Sequence, residues 1–179
     1  MKSKPMKAGF RAAQRARCAA AAAALLLALG CTQALAPQPV EPTDATLCSF
    51  DGMLLSDFPG PKGQILYEDG APDFFCDTVE LFSAYLQPEE KKRVSAIYTQ
   101  DMAQTPWDKP RGHWIDARSA FYVIGSRKTG SMGPTIASFA KEADAQAFAR
   151  EQGGRVLRFD QVKPDMVALD GGVLKDSGT

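Results

Sequence analysis

The 179-residue chain is formally neutral, with 21 Lys+Arg against 21 Asp+Glu, but six of the basic residues fall in the first 30 positions. The other 149 residues keep 15 Lys+Arg against 21 Asp+Glu, a net charge of −6, and are long enough for one ordinary domain or two very small ones. With no basic stripe and no aromatic-basic platform, a nucleic-acid partner is excluded.

Residues 1–30 contain no acidic side chain. Lys2, Lys4, Lys7, Arg11, Arg15 and Arg17 make a basic start, and Cys18–Leu29 is an unbroken run of Ala, Leu and Cys. Twelve residues are too few for a bilayer-spanning helix, which needs about 20, but suit the core of a signal peptide. The run ends Ala28-Leu29-Gly30-Cys31, a small residue and then Cys, where a bacterial lipoprotein is cleaved and lipidated. Cys31 is therefore the expected lipid-bearing residue, and the membrane is reached through that anchor. Thr32 in place of Asp gives no inner-membrane retention signal, so the expected location is the periplasm, on the outer membrane. Residues 31–46, with Pro37, Pro39 and Pro42, read as a disordered tether.

The folded part reads as the same pattern run twice. In the first pass Gln64–Glu68 is a short strand and Asp69-Gly70 a hairpin turn. Ala71–Cys76 is a short, mostly apolar segment. Asp77 then caps a helix, with Glu80 three residues later closing a capping box. Val79, Phe82 and Leu86 share one helix face, Pro88 ends the helix, and Val94–Thr99 is a β-rich return strand. In the second pass Trp114-Ile115 precedes a turn at Asp116–Ser119, and strands follow at Phe121–Gly125 and Pro134–Phe139. Ala140–Gln152 is a helix with Ala143, Ala147 and Phe148 inward, stopped by Gly153-Gly154, and Arg155–Phe159 is a last strand. The expected fold class is α+β, with two tandem small ββαβ modules over 47–105 and 106–169 and a loose tail over 170–179.

Few residues could carry chemistry. Beyond the leader there are one His, four Met (Met53, Met102, Met132 and Met166), and two cysteines other than Cys31, namely Cys48 and Cys76. In an oxidising compartment such a pair often forms a disulfide, whereas a thiolate ligand would have to stay free. There is no Cys-x-x-Cys, paired His or His-Glu-x-x-His for zinc, and no Gly-x-Ser-x-Gly for a serine nucleophile. Gly60-Pro61-Lys62-Gly63 lacks the length and the Ser/Thr of a phosphate loop. Cu(I) asks for less: two or three soft donors of the thiolate, thioether and imidazole kind. The candidates are Cys48, Met53, Met132 and His113. Each also fits a plain role, Met as core filler, His113 as a satisfied histidine, Cys48 as a buried thiol. Met132 is the hardest to dismiss, because Thr129-Gly130-Ser131-Met132-Gly133-Pro134 would display it on a flexible loop.

Cys48-Ser49-Phe50-Asp51-Gly52-Met53, followed by Pro59-Gly60-Pro61-Lys62-Gly63-Gln64-Ile65, resembles the NosL family of lipid-anchored copper-binding accessory proteins of nitrous oxide reductase. Phe74-Phe75-Cys76-Asp77-Thr78, Trp114-Ile115-Asp116-Ala117, Phe121-Tyr122-Val123 and Met132-Gly133 extend the likeness from about Cys48 to Phe159. The resemblance implies a fold of two homologous ββαβ modules, Cu(I) as the bound ion, and a role, without enzymatic activity, in assembling the copper–sulfide centre of that reductase. The partners would be its maturation machinery. The implied ligands are Cys48, Met53 and Met132. Some members carry a His two positions after the loop Met, where this chain has Pro134, which leaves His113 or a partner to supply imidazole. Two other readings stay open. One is a generic copper-buffering lipoprotein of the envelope. The other is an enzyme like the organomercurial lyases, whose fold is partly similar, with Cys48, Cys76 and Asp116 in the reacting roles.

Overall fold

Every residue of the first strand, β1 (Gly63–Tyr67), is buried, so this strand is covered on both faces. The computed structural model describes residues 37–87 and 93–169 and shows what covers it. β1 pairs antiparallel with β2 (Asp73–Phe75) on one side and with β3 (Val94–Gln100) on the other, with Gly63 opposite both Phe75 and Thr99. Helix α1 (Thr78–Tyr85) lies between β2 and β3 in sequence. It drops Leu81 onto Ile65, Tyr67, Phe75 and Ile97. A side chain at position 63 would meet Leu81 at 2.8 Å, so only glycine lets helix and strand come this close.

The opposite face of β1 and β3 presents Gln64 and Tyr98, which are cross-strand partners. Residues 37–46, expected as part of a loose tether, are instead tied to that face and its margin. Val40 and Gln64 exchange two hydrogen bonds, N–H to Oε1 at 2.8 Å and Nε2 to the carbonyl at 3.0 Å. The Tyr98 hydroxyl donates to the Pro37 carbonyl at 2.7 Å, Trp114 Nε1 donates to Glu41 at 2.6 Å, and Arg111 pairs with Asp44. Prolines that forbid helix and sheet here produce an extended arm, and the polar groups of the sheet give it something to bind.

The second half contains β5 (Phe121–Ile124), a two-residue ribbon of β6 (Thr129–Gly130) and β7 (Gly133–Pro134), then β8 (Ala137–Phe139), α2 (Glu142–Gln152) and β9 (Arg155–Arg158). The expected strand Pro134–Phe139 is thus interrupted at the buried pair Thr135 and Ile136. Strand order is β8-β5-β9, the same arrangement as β2-β1-β3, with the helix between the second and third strands in both. The α+β class and the ββαβ repeat are both present in this topology.

One boundary moves. Trp114–Asp116, read above as the opening of the second module, is β4 and pairs with β3, so the first sheet has four strands in the order β2-β1-β3-β4. The described residues all fall in one compact unit, and α1 joins its two halves. Its Leu81 faces the first sheet, while Val79 and Phe82 pack on Tyr122, Ile136 and Leu157 of the second half. Phe82 meets Tyr122 edge-on with ring centroids 4.9 Å apart. A buried phenylalanine of this kind contributes about 3–5 kcal/mol relative to alanine. Residue alternation in the second sheet then turns Val123, Ala137 and Phe139 to the far side, against α2. There Ala145, Phe148 and Ala149 face inward, while Ala143 and Ala147 are exposed, contrary to the expected face. Alanine recurs at every second residue from 143 to 149, so either face was open to it. Phe148 decides: Ala145 lies three residues before it and four before Ala149, so these three share one face at helical spacing. The leader, Cys31, Pro88 and the tail over 170–179 lie outside the described residues.

Candidate metal centre

Cys48 sits in a small closed loop. Its N–H donates to the Met53 carbonyl at 2.7 Å, and Gly52 N–H returns to the Cys48 carbonyl at 2.9 Å. Asp51 Oδ1 accepts from Met53 N–H at 2.9 Å, an Asx turn, and Gly52 takes the positive φ of 77° that the reversal needs. Ser49 fastens the loop to β2, its N–H bonding the Phe74 carbonyl at 2.7 Å. The backbone therefore puts Met53 directly across from Cys48, with the thiol buried and the Met53 side chain 46% exposed.

The thiol points at Glu80. Asp77 caps α1 as expected, its Oδ1 accepting from Val79 and Glu80 N–H at 2.9 and 3.2 Å. Glu80 does not close a capping box on Asp77. Its Oε2 accepts from Cys76 N–H at 2.9 Å and from the Cys48 thiol at 3.0 Å. Cys48 Sγ, Cys76 Sγ and a Glu80 oxygen all lie within 4.8 Å of one another, and all three residues are buried. Both thiols are free. Burial raises the proton affinity of Glu80, against the pull of hydrogen bonds from Cys48, Ser131 and Cys76 that lower it. The hydrogen bond with Cys48, followed by burial, pushes the Cys76 thiol far up, so Cys76 is held as a thiol.

The third piece is the ribbon of β6 and β7, which carries Ser131 and Met132 at its turn. Ser131 Oγ lies 2.7 Å from Glu80 Oε1 and 3.0 Å from Asp77 Oδ2, and Ser131 N–H donates to the same Asp77 oxygen at 3.0 Å. Trp107 Nε1 holds the ribbon's other side through the Thr129 carbonyl at 3.1 Å. A Cβ on Gly130 would run into the Asp77 carboxylate, so glycine is required for the approach. The expected flexible loop is thus a pinned one, and Met132 remains 36% exposed. A single carboxylate, Glu80, touches both the Cys48 thiol and the residue beside Met132.

His113 is placed elsewhere. It precedes β4 in left-handed backbone, φ 51°, and its carbonyl accepts from Asp101 N–H at 2.9 Å. Cys76 directly follows β2 at one edge of the first sheet, and β4 is the opposite edge. His113 and Cys76 thus flank opposite edge strands, with β1 and β3 between them. Asp116, on β4, is on that far edge too, and the acid beside the cysteines is Glu80. Pro134, in β7, pairs with Thr129. Met102 and Met166 pack against core clusters. Thiol and thioether sulfur are soft donors, suited to a soft metal ion.

The NosL family profile matches residues 39–167. The chain belongs to the NosL family. It is 44% identical over 147 residues to the copper-binding lipoprotein NosL of Stutzerimonas stutzeri, covering 78% of this chain and 77% of that one. It is 38% identical over 160 residues to the protein of the same description from Achromobacter cycloclastes, covering 86% and 83%. Among solved structures, the copper chaperone NosL from Shewanella denitrificans superposes with a TM-score of 0.68 at 41% identity, over 71% of this chain and 97% of that one. This NosL chain shows two residues that sequence reasoning passed over as site members. Cys76 stands in the Phe74-Phe75-Cys76 match and was read as a possible disulfide partner of Cys48 or a reacting residue of the enzyme alternative, not among the copper-ligand candidates. Glu80 carried a signal, an acid one turn past a cysteine, but its spacing from Asp77 gave it to the helix cap.

Proposed function

We propose that this NosL protein is a lipid-anchored copper chaperone of the periplasm. It holds Cu(I) on Cys48 with Met53 and Met132 and delivers it for assembly of the copper–sulfide centre of nitrous oxide reductase. It acts as a binding and delivery protein rather than an enzyme, with the lipid on Cys31 and the reductase's maturation machinery as partner. The observation that carries this reading is the joint attachment of the Cys48 loop and the Met132 ribbon to Glu80. Two distant parts of the chain, one carrying Cys48 and Met53 and the other Met132, are attached to the same carboxylate, which supports a shared donor set of one thiol and two thioethers.

Exposure of the outer donors suits transfer. An incoming ligand can meet the ion at the Met53 and Met132 side without unfolding the loop that buries Cys48. Leu47, Phe50 and Leu54 are exposed around the same spot, and an apolar collar of this sort suits docking of a protein acceptor. The testing experiment is a Cu(I) competition titration of wild type and Cys48→Ala. The variant should lose at least roughly a hundredfold in affinity, more than the 10–100-fold of outer-shell changes. Equal affinities would remove Cys48 from the site. For the client, reductase matured with and without this protein at limiting copper should differ in copper–sulfide content, and equal content would point to copper buffering instead.

A further inference from the structure

Lys62 has no part in the copper reading above, yet it is one of the most unusual residues of the domain. The residue is 4% exposed. Burial of a lysine at this level calls for partners. Its Nζ donates to the carbonyls of Phe58 at 2.7 Å, Cys76 at 2.9 Å and Pro59 at 3.4 Å. These are backbone dipoles and do not neutralise it. The Lys62 N–H is itself bonded to Gln100 Oε1 at 3.0 Å, which fixes the start of β1. Glu80 takes the N–H of Cys76 and Lys62 takes its carbonyl, so a cation and a carboxyl grip the same residue from two sides. The acidic groups that face the ammonium are Cys76, Asp77, Glu80 and Cys48. Removal from water draws it down from the ordinary lysine value to about 8, so it still carries its proton at neutral pH.

A fixed positive charge behind a metal site acts on ions by their charge. It opposes a divalent ion twice as strongly as a monovalent one at the same position. Softness of the donors does not make this distinction, because sulfur ligands accept soft ions of either charge. We infer that Lys62 is a specificity-determining residue, a buried cation that biases the Cys48 site toward monovalent ions and against divalent ones. The inference rests on the copper-delivery reading and adds to it the means by which an exposed sulfur site in the envelope would refuse divalent metals. Lys62 acts through the field it sets up and is not a ligand.

Ag(I) and Cd(II) separate charge from softness, since both favour thiolate and differ in charge. Competition titrations would give the Ag(I)/Cd(II) preference of wild type, Lys62→Gln and Lys62→Arg. Lys62→Gln should move the preference toward Cd(II) by roughly tenfold or more, as expected for one unit charge at close range in a partly shielded site. Lys62→Arg, which keeps the charge, should restore the wild-type ratio. Lys62→Met removes the same charge and keeps an unbranched stem without a polar group to bury. It should shift the preference the same way, toward Cd(II), and it serves as the test should Lys62→Gln not fold. An unchanged ratio of the two ions in folded Lys62→Gln or Lys62→Met overturns the inference and leaves the copper reading standing. Failure of wild type to bind Ag(I) or Cu(I) overturns both.

Discussion

Glu80 shows how one side chain can be drawn from a local role into a distant one. In sequence it stands three residues after Asp77, where a capping-box acid belongs. In the fold its N–H is used by the cap, but its carboxyl reaches the cysteines, because Cys76 N–H and the Cys48 thiol both converge on Oε2. That convergence depends on residues 32 positions apart, and no local pattern records it. Cys48, Met53 and Met132 stood out as candidates because each sits in a short motif with turn residues beside it. Glu80 has a measurable signature in the apo protein. Burial raises its pKa above the ordinary 4.5. The folded state therefore binds its proton more tightly than the unfolded chain does, and the associated stability is fully present below about 4.5 and lost as pH rises through the folded value. Urea unfolding from pH 4 upward should show this loss in wild type and a flatter limb in Glu80→Gln. Identical profiles would mean that Glu80 pays no burial penalty.

At the scale of elements, the periodic signals were read well and their partners were not. β1, β3, β5, β9 and both helices lie within a residue or two of their expected positions. What failed was assignment across the chain: β4 went to the first sheet, and α2 turned a different alanine face inward. A three-residue strand carries no label for the sheet it will join, and an alternating alanine pattern has no preferred side until an aromatic neighbour supplies one. The β6–β7 ribbon was legible only as a glycine-bounded loop. Its rigidity comes from Ser131, Asp77, Glu80 and Trp107, three of them from other elements. A consequence can be checked with Gly130→Ala. The new methyl group collides with the Asp77 carboxylate and meets Thr135 Cβ at 2.9 Å, forcing the ribbon outward. Cu(I) affinity should fall about tenfold, within the range for disturbed support of a ligand, while the Cys48 loop is untouched. Retention of full affinity would show that Met132 does not need the ribbon's position.

Across the whole molecule, α1 makes two small modules into one unit, since each sheet uses a different side of the same helix. The N-terminal arm closes the remaining side of the first sheet. Composition alone called for disorder over 31–46, because the arm has few large apolar residues, and hydropathy does not see its bonds to Gln64, Tyr98, Trp114 and Arg111. Removing residues up to 46 should destabilise the domain by about 2–4 kcal/mol, on the basis of several hydrogen bonds worth about 1 kcal/mol each. Chemical denaturation of the shortened chain gives the value, and an unchanged midpoint would make the arm a passive cover.

The arm also sets a mooring length. With Pro37 held by Tyr98, only five residues separate it from Cys31. If Cys31 bears the lipid, six steps of at most about 3.5 Å allow the domain to stray no more than roughly 20 Å from the bilayer surface. A carrier so tethered would not roam the periplasm with its cargo. It would patrol a thin layer above one membrane, where a short leash would raise its effective concentration toward partners in that layer and nearly abolish it for those beyond.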